Sequence, residues 1–562
     1  MIRASIFSIL LVSLATLLPG SAWAVPGDVV QEFAAPAKHV SGLTYDAKTK
    51  TLWAADRMTD KLYQISPTDG KVLKTFDAPD YQIEGLAMAD GKLFALDTES
   101  RKIYLVNPET GVSERSINIY VSTPTGLTFD GKQLWTSSRL KNRLYKINPN
   151  DGVTMASFRA PAVEPSGLTF DGKYLWVADR MRDEIYMLSP WDCRVIMTCK
   201  SPGPFPRDLA FDGKYLWNVD YQTDKIYKIK RHDKEFLAKT NPKSRSLYYA
   251  HELRNGGPNP INADIYVAIP QNRPSQDLLS KVKITPEPME IITNDVGQKI
   301  ARCHFKNVKA GEKAQATMEL NVKLYEMRFF LEPDKTGTLA DIPKEIKEQY
   351  LNDASKFDIN DPYIKKLTQK VVGNEKNCYW IARKIYNYVL DEVDYELGAG
   401  WNSASKVLRS GRGSCSEFSF SMIAMCRAAG LPARFVGSVV VRYDDASTDY
   451  GVFHRWAQVY LPNYGWITFD PSSRLANSPI PADQASVIGY RDNRYLITTF
   501  GTSDTKGLEW DYDSNATWKS KGPANVTEER VGEWEPCGTA SEKKTKEKGH
   551  QGMGSIAPGL GD

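Results

Sequence analysis

A pattern of short apolar stretches repeats five times in the first half of the chain. The stretches SGLTYD, EGLAMADG, TGLTFDG, SGLTFDG and RDLAFDG begin at residues 41, 84, 125, 166 and 207. Each is followed by a second strand-like run such as LWAAD and by a third such as KLYQI. In the first four repeats a fourth run such as GKVLKTF follows. Four short strands in each period of about 40 residues are typical of the blade of a β-propeller.

The missing strand of the fifth repeat lies at the other end of the array. The fifth repeat ends near Lys230 without a fourth strand, and GDVVQEFAAP from Gly27 is similar to GKVLKTFDAP from Gly70. We therefore expect the N-terminal strand to complete the last blade of a five-bladed β-propeller over residues 25–235, since ring closure removes free sheet edges. The array resembles secreted NHL-type and lactonase-like propellers, and by analogy of fold this implies a platform for a protein or cell-envelope ligand.

Two charged motifs recur in the array. Asp-Gly pairs at 130–131, 171–172 and 212–213 are predicted to be hairpin turns, and a metal site is the less favoured alternative. Asp-Arg pairs at 56–57 and 179–180 follow equivalent strands and could face a shared rim, although a structural role is the preferred interpretation. No catalytic constellation is visible in the repeats.

The remainder of the chain changes its periodicity at Pro333. Residues 236–335 alternate apolar and polar positions over short runs and predict a β-sandwich. Apolar positions three and four residues apart then predict helices, and residues 336–500 are assigned to an α+β domain. Residues 501–537 are predicted to be a C-terminal β extension, and the polar residues 538–562 a disordered tail.

The N-terminal segment predicts export. Arg3, the apolar run IFSILLVSLATLL and the small residues around Ala24 are typical of a signal peptide covering residues 1–24. A retained membrane anchor is the weaker alternative because the run is short for a bilayer span, which needs about 20 residues. We expect a periplasmic or extracellular protein with no membrane span in the mature chain.

Composition narrows the class of partner. Hydrophobic residues make up 41% of the 562 residues, and the 72 basic and 68 acidic residues leave a net charge of +4. This near balance gives no reason to expect a nucleic-acid partner. The seven cysteines are scattered and odd in number, so they do not predict a disulfide framework.

One of these cysteines lies in the stretch GRGSCSEFSF. Cys415 follows two glycines and Ser414, the predicted N-cap, and precedes apolar residues at helical spacing that end at Gly430. The N-terminus of a helix carries partial positive charge, which favours a thiolate. Its N–H groups can also hold an oxyanion. The sequence therefore makes Cys415 a candidate nucleophile.

A histidine and an aspartate follow on a predicted hairpin. Only two histidines lie downstream of Cys415, and His550 is in the polar tail. His454 opens the strand HRWAQVYL, the turn PNYG follows, and the strand WITFD ends at Asp470. The midpoint of 454 and 470 is Pro462, which predicts that the two side chains lie nearly opposite each other, or diagonally. A carboxylate there would orient the imidazole toward a thiol. A structural cysteine, a strand-end histidine and a solvated aspartate are the alternative.

This order of residues resembles the transglutaminase-like superfamily, whose bacterial members include cysteine protease-like proteins. The resemblance covers residues 345–475 and implies a papain-like α+β core in which Cys415 is nucleophile, His454 base and Asp470 the residue that orients it. Trp401 and Asn402 are candidates for an oxyanion-stabilising role. Ser416 stands where animal crosslinking enzymes have tryptophan, which speaks against crosslinking. No cofactor and no metal are implied.

Three functions are compatible with the sequence. The preferred hypothesis is a secreted cysteine enzyme that cleaves peptide or amide bonds through a thioester, with hydrolysis preferred to crosslinking and the propeller binding the substrate or a partner. The first alternative is a non-catalytic propeller scaffold with a latent transglutaminase-like module. The second is a lactonase or lyase on the propeller, which would need a metal-binding rim.

Overall fold

The protein was analysed as a computed structural model. The structure describes residues 25–232, 236–396, 401–441 and 453–537, together with the backbone of residues 448–449. The predicted signal peptide and the predicted tail with His550 lie outside the described residues. The described chain consists mostly of small antiparallel sheets, with few helices.

Five four-stranded antiparallel sheets form the first unit. Four of them use consecutive strands. The first sheet is β2 (Val40–Asp46), β3 (Thr51–Asp56), β4 (Lys61–Ile65) and β5 (Val72–Asp77). The second is β6 (Ile83–Ala89), β7 (Lys92–Asp97), β8 (Lys102–Val106) and β9 (Ser113–Asn118). The third is β10 (Pro124–Phe129), β11 (Leu134–Ser138), β12 (Arg143–Ile147) and β13 (Thr154–Arg159). The fourth is β14 (Pro165–Phe170), β15 (Leu175–Asp179), β16 (Glu184–Leu188) and β17 (Val195–Lys200).

The fifth sheet takes its outer strand from the start of the described chain. It consists of β18 (Pro206–Phe211), β19 (Tyr215–Asp220) and β20 (Lys225–Lys230), with β1 (Val29–Ala34) paired antiparallel to β20. The first strands of the five sheets, β2, β6, β10, β14 and β18, contact each other in that order, and β18 contacts β2. Among the described residues no sheet closes on itself. The five-bladed propeller stays a prediction, with which these pairings agree.

Small residues allow the inner strands to approach. A Cβ on Gly85 would lie 2.7 Å from the carbonyl carbon of Gly126 in the next sheet. The fifth repeat has Asp208 at this position. Its buried carboxylate accepts backbone N–H groups from Leu43 and Leu168, so it links the inner strands of three sheets.

The two recurring aspartate motifs have structural roles. In the Asp-Gly turns, Asp171 accepts the indole N–H of Trp176 at 2.8 Å and the N–H groups of its own turn, while Gly172 has a φ of +92°. Asp130 and Asp212 repeat this arrangement. Within the described ranges, no group of three or more His, Cys, Asp or Glu is placed to hold a metal ion. The turn interpretation accounts for these carboxylates without a metal.

The middle of the chain forms two further sheets around a shared core. One sheet contains β21 (Leu237–Asn255), β23 (Gln276–Leu278), β24 (Lys283–Thr285), β27 (Lys313–Phe329), β31 (Thr448–Asp449), β34 (Tyr490–Arg491) and β37 (Val526–Pro536). The other contains β22 (Ile261–Ile269), β25 (Glu290–Thr293), β26 (Lys299–Val308) and β36 (Ser514–Ser520). Tyr249, Ile265, Cys303 and Met318 are buried between them.

The C-terminal β extension predicted for residues 501–537 contains strands β36 and β37. Strand β37 pairs with β21 along its whole length, and β36 pairs with β22. The end of the described chain therefore completes the two sheets of the middle segment. The paired residues are about 250 or more positions apart, so local patterns indicate strands here but not the sheet that each strand joins.

Most of the chain between β27 and β36 forms a further unit, which contains helices and one sheet. The helices are α1 (Lys344–Tyr350), α2 (Pro362–Val372), α3 (Cys378–Glu392), α4 (Ala404–Ser410), α5 (Cys415–Ala428) and α6 (Pro481–Ser486), with short 3₁₀ turns at Pro333–Lys335, Leu339–Asp341 and Arg474–Asn477. The sheet has the order β33 (Gly465–Phe469), β32 (Phe453–Leu461), β30 (Ala433–Val440), β35 (Tyr495–Gly501). Two residues from each of β28 (Asp394–Tyr395) and β29 (Arg412–Gly413) pair in parallel. Helix α5 packs on β32.

None of the helices in the described ranges is long and apolar enough to cross a membrane. All seven cysteines are free thiols, in agreement with the absence of a disulfide pattern in the sequence. Five of them are buried, and burial raises the pKa of each: Cys193, Cys199, Cys303, Cys378 and Cys426. Only Cys415 and Cys537 are partly exposed.

Candidate active site

Cys415 is the first residue of α5. The preceding helix α4 ends at Gly411, whose φ of +70° is the left-handed conformation that glycine adopts without strain. Ser414 is extended and occupies the N-cap position, as the sequence predicts. The thiol is therefore half-buried at the positive end of a 14-residue helix.

Glu417 holds this helix start in place. Its buried carboxylate accepts the backbone N–H of Ser414 at 2.8 Å, and its other oxygen accepts the backbone N–H of Asn402 at 3.1 Å and the side-chain amide of Asn402 at 3.0 Å. A Cβ on Gly413 would lie 2.8 Å from the Glu417 Cβ. The glutamate thus ties the loop before α4 to the turn that presents the thiol.

His454 and Asp470 meet across a hairpin. Strands β32 and β33 pair Tyr460 with Trp466 and Ala457 with Phe469, so the hairpin is centred on residue 463 rather than on Pro462. His454 and Asp470 are consequently diagonal rather than directly opposite, the second of the two geometries predicted. His454 Nε2 lies 2.7 Å from Asp470 Oδ2, a hydrogen bond of charge-assisted length.

Asp470 is fully buried and has three side-chain partners. Besides His454, two nitrogens of Arg491 lie 3.2 Å from Oδ2, and the Ser472 hydroxyl donates to Oδ1 at 2.9 Å. Burial on its own opposes the charged form, but His454 and Arg491 outweigh it and hold the pKa of Asp470 well below its usual range. The carboxylate is therefore a permanent negative charge behind the imidazole.

The other side of His454 faces Cys415. Burial raises the pKa of the Cys415 thiol, but the hydrogen bond and charge of His454, with the backbone N–H of Arg455, lower it below its ordinary value. Burial lowers the pKa of His454, yet Asp470 and Cys415 together raise it well above 6.5. The two shifts have one cause, because each charged group stabilises the other. Both shifts favour the thiolate–imidazolium form of the pair.

Aromatic rings surround the next residue, Arg455. Its guanidinium is fully buried and lies 4.4 Å from the ring centre of Tyr512, 4.5 Å from Phe435 and 4.9 Å from Trp401. Burial raises the pKa of Tyr512, as does the nearby charge of Cys415, and its hydroxyl hydrogen-bonds Ser416. These contacts build one wall beside the thiol and favour the neutral form of Tyr512.

A cleft of 1120 Å³ opens on the imidazole side of the site. Its walls come from the segment after Asp470 and from the residues around β34, and they include Tyr395, Arg474, Tyr490, Arg491 and Tyr495. Volumes of several hundred Å³ or more are usual for binding sites of small ligands and short peptides. Extended polypeptide therefore has room to reach His454.

The two residues predicted to help an oxyanion have other contacts. The amide of Asn402 donates to Glu417, and the Trp401 ring lies 6.2 Å from Phe420 and 6.0 Å from Tyr512, with 40% of the residue exposed. Both lie close to the start of α5. Their oxyanion role stays a prediction.

Sequence reasoning missed four residues that shape the site: Glu417, Ser472, Arg491 and Tyr512. Glu417 carried a signal, because Ser414-Cys415-Ser416-Glu417 has the spacing of a capping box. Ser472 lies two residues beyond the aspartate. Arg491 and Tyr512 are 21 and 42 residues beyond Asp470, and nothing local to their sequence indicates that the fold returns them to it.

Comparison with known proteins identifies a family domain in this part of the chain. Residues 365–471 match the model of the transglutaminase-like superfamily. The uncharacterized protein YebA of Bacillus subtilis is 36% identical over 74 residues, 12% of this chain and 10% of that protein. A protein-glutamine gamma-glutamyltransferase of Pseudomonas aeruginosa is 26% identical over 114 residues, 19% and 17% of the two chains. A peptide-N(4)-(N-acetyl-beta-glucosaminyl)asparagine amidase of Macaca fascicularis is 23% identical over 146 residues, 26% and 20% of the two chains.

The chain thus spans a fifth or less of the length of these three relatives, and the similarity concerns one domain. Proteins with this domain are generally cysteine-dependent amidases or acyltransferases. The matched segment includes Cys415, His454 and Asp470, whereas Arg491 and Tyr512 lie beyond it. Residues 365–471 of the chain are a transglutaminase-like domain.

Proposed function

We propose that the protein is a cysteine enzyme that cleaves peptide or amide bonds, with Cys415 as nucleophile, His454 as acid and base, and Asp470 as the residue that orients His454. One observation carries the proposal: His454 Nε2 lies 2.7 Å from the buried carboxylate of Asp470. Interaction with this imidazole lowers the pKa of the Cys415 thiol. A nucleophile, a base and a third group that fixes the base are what covalent acyl transfer needs.

The first half-reaction forms a thioester. The Cys415 sulfur attacks the carbonyl carbon of the substrate amide, and the negative charge of the tetrahedral intermediate moves to the carbonyl oxygen. Unpaired N–H groups at the start of α5 can stabilise this oxygen. The imidazolium of His454 then gives its proton to the amide nitrogen, the carbon–nitrogen bond breaks, and the amine leaves. The charge of Asp470 stabilises the imidazolium until that transfer.

The second half-reaction decides the product. Water attacks the thioester carbonyl while neutral His454 takes its proton, the carbon–sulfur bond breaks, and a carboxylic acid and the thiolate result. A primary amine in place of water gives an amide crosslink. We favour hydrolysis, because Ser416 replaces the tryptophan of crosslinking enzymes and one relative is an amidase. Amine transfer is the second candidate, supported by the similarity to a gamma-glutamyltransferase.

The proposal also assigns a role to the five sheets at the start of the chain. We propose that they form a five-bladed propeller that binds the substrate or a partner outside the cytoplasm. The cyclic contacts of β2, β6, β10, β14 and β18 and the pairing of β1 with β20 support this arrangement. The signal-like pattern of residues 1–24 supports export.

Product analysis tests the function. The protein is incubated with a peptide library, with and without an added primary amine, and the products are identified by mass spectrometry. We expect shortened or deamidated peptides in both samples, with amine adducts a minor product. A majority of amine adducts would make the protein an acyltransferase. No product in either sample, with a folded protein, would support the latent scaffold instead.

A further inference from the structure

The arginines of the recurring strand-end motif lie at one end of the five-sheet unit. The second strand of each sheet ends at Asp56, Asp97, Ser138, Asp179 or Asp220, and each of these residues pairs with the first residue of the inner strand. The residue that follows is therefore at the same end in all five sheets. It is arginine in the first, third and fourth: Arg57, Arg139 and Arg180.

A fourth arginine lies at the same end. Arg207, the second residue of inner strand β18, has 5% of its side chain exposed and lies 2.5 Å from Glu84 of inner strand β6. Arg57 contacts the same carboxylate at 3.4 Å. Arg180 is paired with Glu164. Arg139 has no ion pair within the described ranges. Three of the four guanidinium groups therefore pair with two glutamates, and the fourth pairs with neither.

The aspartates nearby already have partners. Asp56 accepts backbone N–H groups from His39, Met58 and Thr59, and Asp179 accepts the equivalent set in the fourth sheet. Asp208 accepts its N–H groups at the contact of the inner strands. Burial lowers the pKa of Arg207, Glu84 opposes this, and Arg57, Arg180 and Arg139 lower it further. The arginines repel one another, and an added anion would relieve this.

Large apolar side chains surround the arginines. Met58, Leu140 and Met181 directly follow the three strand-end arginines and are 66%, 66% and 63% exposed. Tyr81 and Tyr120, in the loops that enter the second and third inner strands, are 75% and 85% exposed. Several exposed apolar residues around a common centre are typical of a binding surface. They form an apolar rim at the end of the unit where the arginines lie.

We propose that this end of the five-sheet unit binds an acidic peptide segment. Glutamate or aspartate carboxylates of the ligand pair with the guanidinium groups, as Glu84 and Glu164 already do, and the apolar side chains of the ligand pack on the methionines, Leu140 and the tyrosines. The apolar rim favours peptide over inorganic phosphate or nucleic acid, which would leave it in water.

The same end of the fourth sheet contacts the segment that forms the cleft. Residues 472–479 line the cleft beside His454, and α6 follows directly. The backbone N–H of Ala482 donates to the carbonyl of Pro161, and Asp483 pairs with Arg182, two residues beyond Arg180. A bound acidic segment would lie on the side of the molecule that leads to the cleft. Recruitment of substrate by this surface rests on the proposed function, whereas binding itself does not.

Fluorescence anisotropy tests the binding. The probe is a labelled nine-residue peptide that alternates Glu and Leu, and the protein carries Cys415→Ala so that no turnover interferes. Matched peptides replace every Glu by Gln or by Lys. The variants are Arg139→Gln and the double variant Arg57→Gln/Arg139→Gln. The control is Arg159→Gln, an exposed arginine on the outermost strand of the third sheet. Circular dichroism verifies that each variant is folded.

We expect the Glu peptide to bind and the Gln and Lys peptides to bind at least tenfold more weakly. Arg139→Gln should weaken binding of the Glu peptide about tenfold and the double variant further, since each substitution removes charge-assisted hydrogen bonds to the ligand. Arg159→Gln should change nothing. Equal binding of the Glu and Gln peptides, no binding, or an equal loss in the control overturns the proposal. Binding to phosphatidylglycerol vesicles but not to the peptide also overturns it. A protein that binds the peptide but has no peptidase activity would refute only the proposed function.

Discussion

Cys415→Ala is expected to reduce turnover of any peptide substrate by about five orders of magnitude, because the chain then lacks the atom that forms the thioester. The fold should persist. The thiol is half-buried, and the helix that begins with it is held by Glu417 and by the contacts of its own buried face. The measurement is the rate of product formation by mass spectrometry, together with thermal unfolding of the same sample.

Cys537→Ala is the matched control. Cys537 is the other partly exposed cysteine and lies at the end of β37. Its removal should leave the rate unchanged. If Cys415→Ala keeps its activity, or if both variants lose it to the same extent, Cys415 is not the nucleophile and the scaffold hypothesis becomes the better one.

Asp470→Asn is expected to lower kcat by about 10³–10⁴-fold, the order of effect of the same change in serine hydrolase triads. The amide keeps the size of the side chain but removes the charge that raises the pKa of His454. With that pKa lowered, the imidazolium and the thiolate lose mutual stabilisation, and the acid needed for amine departure is less populated. Arg491 also loses its buried counter-charge, so a lower melting temperature should accompany the loss of rate.

Another aspartate that is bonded to a histidine and an arginine provides the control. Asp264 on β22 accepts from His304 at 2.8 Å and from Arg302 at 3.0 Å, the same two kinds of partner that Asp470 has. Asp264→Asn should lower the melting temperature and leave kcat unchanged. An equal fall of kcat in both variants would mean that Asp470 acts through stability alone.

Local patterns predicted the parts of the site that depend on neighbouring residues. The glycines, Ser414 and the apolar spacing of α5 indicated a helix that begins at Cys415, and it does. The hairpin arithmetic brought His454 near Asp470 but was wrong by one residue at its centre. That error arose because the midpoint assumes that His454 and Asp470 pair directly, whereas the register makes them diagonal and puts Asn463, with a φ of +68°, at the centre of the turn.

Contacts between residues far apart in the sequence were not predictable in the same way. Arg491 and Tyr512 reach the site from segments whose own periodicity indicates strands and turns, and only the packed sheet brings them back. The pairing of β37 with β21 is of the same kind. By contrast, the pairing of β1 with β20 was predictable, because the repeat supplied an internal template for the missing strand.

The central claim is that Cys415 and His454 form a thiolate–imidazolium pair, and the pH dependence of alkylation tests it most directly. Iodoacetamide is added between pH 5 and 10, and modification of Cys415 and Cys537 is followed by peptide mass spectrometry in the wild type and in His454→Ala. Only the thiolate reacts, and an ordinary thiol has a pKa of about 8.5. We predict that Cys415 of the wild type still reacts at pH 6, and that in His454→Ala, where burial raises its pKa, it reacts only above about pH 8.5. The same pH profile for Cys415 in both proteins, with a midpoint at or above that of an ordinary thiol, would contradict the account.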